Sequence, residues 1–102
     1  MSILNLHDGI MLSKIPFEIS KLGKEDLDKE ILRIGMMAEL DAINLYEQLA
    51  SLTEDSQVRE ILLDIAREEK THFGEFQALL LGRDKEQEKE LEEGKKEVKE
   101  KT

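Results

Sequence analysis

Residues 58–79 read VREILLDIAREEKTHFGEFQAL, and the fold turns on that stretch. Taken at alternating steps of four and three, it yields Val58, Leu62, Ile65, Glu69, His72, Phe76 and Leu79. Such spacing returns to one side of a 3.6-residue helix, so it predicts a helix carrying an apolar seam. The middle of the seam breaks the pattern with Glu69 and His72, although Ile65, Ala66, Phe73 and Phe76 surround them. A carboxylate in such surroundings loses hydration at a cost of several kcal/mol unless something compensates. Polar residues at core positions need a reason.

Outward from this stretch the chain divides into four segments. The second helix is expected from about Asp55 to Leu81, ending at Gly82, a residue suited to helix C-termini. Before it, Thr53-Glu54-Asp55-Ser56 supplies the cap formers and acids that begin a helix. An earlier helical pattern runs from Lys24 to about Leu52, with Leu27, Ile31, Ile34, Ala38, Ala42, Leu45, Leu49 and Leu52 as its apolar positions. Residues 1–22 hold the only proline, Pro16, and are read as an irregular or partner-docked arm. Residues 83–102 are rich in Glu and Lys, with Leu91 and Val98 as their only large apolar residues. So little apolar surface cannot offset ordering entropy, so this tail is expected to be disordered, a solvated helix or a linker.

The expected fold class is all-α. Only a few residues separate the two helices, so residues 23–82 should fold back as an antiparallel hairpin. A hairpin of this size without a disulfide is marginal alone. The simplest remedy is pairing with a second copy into a four-helix bundle.

Composition narrows the function. The chain has 102 residues, no cysteine and a net charge of −9. Without cysteine there are neither disulfides nor thiolate ligands. His7 and Asp8 interrupt the apolar N-terminus, and no run is long enough to span a bilayer, so a cytoplasmic protein is expected. By the count of acids and bases, residues 1–82 carry about −8 and the tail only about −1. The acidity therefore sits in the part that folds. Nucleic acid, which needs clustered positive charge, is an unsuitable partner, whereas cations are natural ligands.

The first helix has its own polar intruder. A second seam reads Leu32, Gly35, Glu39, Ala42, Tyr46 and Leu49, with Met36 and Ile43 beside Glu39. The turn centres near residue 54, which puts Glu39 about 15 residues before it and Glu69 about 15 after. At roughly 1.5 Å per residue both lie roughly 22 Å from the turn, at matching heights. Glu69 and His72, three apart, project from one face. Three ligand-type side chains thus converge at one level. Di-iron carboxylate bundles use one Glu from each of two helices and a Glu-x-x-His from each of the other two. This chain holds half of that set, and two copies complete it. Four glutamates bring a charge of about −4, which two Fe²⁺ neutralise. Carboxylate and imidazole also suit Mn²⁺ and Zn²⁺, but iron among these supports oxygen chemistry.

Competing readings exist for each residue. Glu69 and His72 could form a buried ion pair that fixes helix register, although buried carboxylates are rarely left without a partner. Tyr46 is either an ordinary core aromatic or a hydrogen-bond donor to a ligand carboxylate. Asp41 and Glu47 are expected on a solvated face.

The segment 31–81, with Glu39, Tyr46, the strings Ala-Glu-Leu-Asp (38–41) and Glu-Glu-Lys-Thr-His (68–72), resembles the encapsulated ferritins, two-helix relatives of ferritins and rubrerythrins. The resemblance implies ferroxidase activity, Fe²⁺ being oxidised by oxygen or peroxide at a site shared between subunits. It implies Glu39, Glu69 and His72 as iron ligands, two ions per dimer interface, with Tyr46 nearby. It also implies a ring of dimers inside an encapsulin nanocompartment, where iron is stored. Family members often carry an acidic pair on the first helix where iron enters; here one position is Ala38, leaving Asp41. Cargo proteins of this kind usually end in an apolar targeting peptide, which the terminal Glu-Val-Lys-Glu-Lys-Thr does not resemble. The charged tail is more similar to the linker of archaeal relatives that are fused to the shell protein. Two alternatives stay open: a rubrerythrin-like di-iron peroxidase, which here would lack the rubredoxin-type Cys₄ site, and a non-catalytic metal-binding or helical assembly module.

Overall fold

The structure, a computed structural model, describes residues 23–101. The arm expected at 1–22 lies outside the described residues. Helix α1 spans Lys24–Leu52, α2 spans Ser56–Arg83 and α3 spans Lys85–Glu100. No strand occurs among the described residues. The all-α hairpin expected from the seams is what the chain forms.

The turn between α1 and α2 is short because its ends are closed locally. Thr53 is extended, and its amide still donates to the Leu49 carbonyl at 3.3 Å. Asp55 then caps α2, its carboxylate accepting from the amides of Gln57 and Val58 at 2.9 and 3.0 Å. These are two of the donors that a helix start otherwise leaves without partners. Arg59 reaches back to donate to the carbonyls of Ala50 and Thr53, tying the first turn of α2 to the last of α1.

Small residues let the helices approach. Ala42 is fully buried, and Ala50 in α1 and Ala66 in α2 are nearly so. Ala42 and Ala66 each lie three residues from the seam glutamates, on the side toward the turn. At Gly35 a side chain is sterically unwelcome: a Cβ there would lie 3.1 Å from the ring of Phe76. Gly35 and Phe76 pack against each other on the opposite side of the same level.

One expectation changes and another narrows. Helix α2 passes through Gly82 and ends at Arg83, and no described glycine has positive φ, so Gly82 is not a left-handed cap. Asp84 does the capping on both sides: its amide donates to the Leu80 carbonyl at 2.9 Å, and its carboxylate accepts from Gln87 at 3.0 Å. The tail, given three readings from its composition, is helical over Lys85–Glu100 and buries no residue. Ion pairs three residues apart, Lys85–Glu88, Lys95–Glu92 and Lys96–Glu93, line its surface. Each such pair contributes only about 0.3–0.5 kcal/mol.

The hairpin does not cover its own seams. Val58 and Leu79, at the two ends of the α2 seam, are about half exposed, as is Ile31 in α1. Leu49 is also exposed. No described helix is long and apolar enough to cross a membrane.

Candidate metal centre

Glu39, Glu69 and His72 come together. Their nearest ligand atoms all lie within 4.8 Å of one another, the only such group of three or more among the described residues. His72 Nδ1 is 3.6 Å from Glu69 Oε2 and 3.8 Å from Glu39 Oε1. Both separations are too long for a hydrogen bond. The three groups face a common space without closing on one another.

That space has the dimensions of a cation site. Oxygen and nitrogen ligands about 2.1 Å from a metal sit about 3 Å apart at right angles and about 4.2 Å apart when opposed. Both separations from His72 already fall within that range.

Burial explains why a cation is wanted. The carboxylates of Glu39 and Glu69 are only 17% and 19% exposed. Glu39 Oε2 is buried and accepts no hydrogen bond, an expensive state for a carboxylate oxygen. His72 is more open, at 46%, on the side the hairpin leaves uncovered. The donor set of two carboxylates and an imidazole suits a divalent cation of the iron, manganese or zinc type. The residues present therefore fit such an ion, with one side of the site left to ligands from elsewhere.

Tyr46 lies on α1 two turns beyond Glu39, is half-buried, and makes no side-chain hydrogen bond among the described residues. Glu47 is on the surface as expected and pairs with Lys70 of α2 at 3.0 Å. Asp41 is not on a solvated face: it is 6% exposed. The reason is a second buried stripe on α1, where Ile34, Ala38 and Asp41 follow at steps of four and three. The seam through Glu39 drew attention to one face of α1, but the helix buries two. The only sequence signal of the second was the run Ile34, Ala38, Leu45, with Asp41 between the last two.

Comparison with known proteins extends the picture. Residues 30–102 match the rubrerythrin family. The ferritin-like–encapsulin shell fusion protein of Pyrococcus furiosus is 65% identical over 79 residues, covering 78% of this chain and 23% of that protein. The chain thus spans about a quarter of the length of that curated relative. The crystal structure of the encapsulated ferritin domain from Pyrococcus furiosus matches with a TM-score of 0.71 and 52% identity, covering 95% of this chain and 93% of the other.

Proposed function

This chain belongs to the rubrerythrin family, among the encapsulated ferritin-like domains, and on that premise we propose that it is a ferroxidase whose di-iron site is completed by a second copy. The observation that carries the proposal is the buried, unpartnered Glu39 Oε2 beside Glu69 and His72. One chain offers two carboxylates and one imidazole, too few for two metal ions. A two-fold axis beside the site doubles this to four carboxylates and two imidazoles, the complement of a di-iron bundle. The exposed Val58 and Leu79 at the ends of the same seam supply the apolar surface for that pairing.

In this reading Fe²⁺ is the substrate. Two Fe²⁺ give up one electron each, and with two protons these reduce dioxygen to hydrogen peroxide. The protein's share is electrostatic and positional. Four carboxylates in an apolar-walled site favour the higher charge of Fe³⁺, which draws the reaction forward. Glu39 and Glu69, held by adjoining helices, fix the ligand positions before metal arrives. His72 offers Nδ1 to the site, and its greater exposure keeps the site open to incoming ions.

The setting follows the relatives. One is named as a fusion to an encapsulin shell protein, and we read this chain as the ferritin-like part of such a system, acting inside an encapsulin compartment as a ring of dimers. The test is oxygen consumption and ferric absorbance after Fe²⁺ is added to the metal-free protein, with a structure of iron-soaked crystals. Two metal ions on a two-fold axis between Glu39, Glu69 and His72 of both copies are expected. Metal bound within a single chain, or no oxidation above the protein-free rate, would refute the reading.

A further inference from the structure

We propose that Asp84 locks a helix joint: its carboxylate, tied to Arg33, holds α3 at an angle to α2, and without that tie α2 and α3 join into one straight helix.

The interruption between the two helices is small. Asp84 alone separates α2 from α3, with φ −134° and ψ 86°. The flanking run Leu81-Gly82-Arg83-Asp84-Lys85-Glu86-Gln87-Glu88 has no proline, and every residue except Gly82 and Asp84 is a good helix former. Gly82 lies within α2 and has no positive φ. Local sequence therefore allows both continuation and, through the Asp84 cap, a break, so that a tertiary contact can choose between them.

The hydrogen bonds at the joint show how near the two states lie. The Asp84 amide donates to Leu80 and the Asp84 carbonyl accepts from Glu88, both bonds that an unbroken helix would also make. Bending removes only the rungs of the next few amides, and the Asp84 carboxylate recovers one by accepting from Gln87 at 3.0 Å. The same carboxylate accepts from the Arg33 guanidinium of α1 at 2.7 Å, with the Asp84 side chain only 13% exposed. One carboxylate thus serves as cap for α3 and as anchor to α1.

The groove beside the joint shows that α3 turns out of line with α2. In a straight continuation Leu91, seven residues past Asp84, would sit about 10 Å beyond the end of α2. Instead Leu91 lines a groove of about 380 Å³ together with Met36, Met37, Leu40, Phe73 and Leu81. α3 buries nothing. Its orientation rests on the Arg33–Asp84 pair. When the pair is lost, α3 swings into line with α2 and its far end moves by tens of ångströms.

The absence of cysteine allows a direct test, since introduced thiols are the only labelling sites. Spin labels at Gln48→Cys in α1 and Glu97→Cys in α3, both exposed positions, report the angle at the joint by pulsed dipolar spectroscopy. Labelled chain is diluted into unlabelled chain so that only distances within one chain count. The distance in the parent protein should lengthen by about 10–20 Å in Arg33→Ala and in Asp84→Ala, with helical content equal or slightly higher. Arg33→Lys, which keeps the charge, should retain a fraction of the short distance, and Lys89→Ala on the surface of α3 should leave it unchanged. An unaltered distance in Arg33→Ala would overturn the proposal. So would a broad distribution accompanied by loss of helix, because α3 would then be melting rather than straightening.

Discussion

Glu39 of α1 and His72 of α2 belong to different helices, yet Glu39 Oε1 stands 3.8 Å from His72 Nδ1. The gap is set by backbone, not by mutual attraction. Ala42 and Ala66 bring the helices close on one side of this level, and the Gly35–Phe76 contact fixes the approach on the other. The two candidate ligands are therefore held near each other but apart, as a site for a third party requires. Predictions follow from that arrangement and from the joint at Asp84.

Removing a ligand should remove activity. Glu69→Ala or His72→Ala takes two ligands from a symmetric site at once and should nearly abolish oxygen-dependent Fe²⁺ oxidation. Glu60→Ala, an exposed charge on α2, should leave the rate unchanged. Stopped-flow absorbance at the ferric band decides it. Retention of most of the rate in both site variants would exclude the assignment.

Metal should promote assembly. In the paired state four glutamates share one apolar-walled site, and their repulsion opposes the association that the exposed seam residues favour. Fe²⁺ bound only to the paired form shifts the equilibrium by mass action, by about 2.7 kcal/mol at a hundredfold excess over its dissociation constant. Native mass spectrometry of metal-stripped protein, titrated anaerobically with Fe²⁺, should show larger species growing. Glu69→Ala should not respond.

Oxidation and storage should separate. Hairpins arranged in a ring enclose no sealed interior, so the isolated protein should oxidise iron and let ferric oxide precipitate. Light scattering during turnover measures this. A soluble mineral core formed by this chain alone would contradict it.

Gly35 should be intolerant of a side chain. Gly35→Ala gains about 1 kcal/mol of helix propensity but drives a methyl to 3.1 Å from the Phe76 ring, and overpacking of this kind costs about 1–3 kcal/mol. The net expectation is a loss of stability, read as a lower midpoint in urea. The double variant Gly35→Ala with Phe76→Leu should recover part of it.

The joint should resist acid. The Asp84 carboxyl is held below its usual range chiefly by the Gln87 amide, with further help from the Arg33 hydrogen bond and the charges of Lys29 and Arg33, against an opposing effect of desolvation. A depressed carboxylate contributes its stabilisation above the unfolded pKa and loses it as pH falls through the folded one. The capped, tied form of α3 should therefore persist through the ordinary aspartate range and give way only below it. Backbone NMR shifts of residues 85–88 followed against pH would show the step. Asp84→Asn should remove it.

The sequence by itself determined the two helices of the hairpin and marked the residues of the candidate site. Periodicity placed α1 and α2, the Asp55 cap marked where the second begins, and Glu39, Glu69 and His72 stood out because charged groups on apolar seams violate a local rule. Equal distance from the turn then put them at one height, since helical rise is constant along both arms. Tertiary structure decided what periodicity could not. Asp41 proved buried because α1 covers a second stripe, and a helix with two covered faces has no single seam to read. The end of α2 was set by Asp84 rather than Gly82, because the deciding partner, Arg33, lies on another helix. Local sequence near residue 84 is compatible with an unbroken helix or a capped break, and a bond from a residue fifty-one positions away anchors the carboxylate that makes the cap.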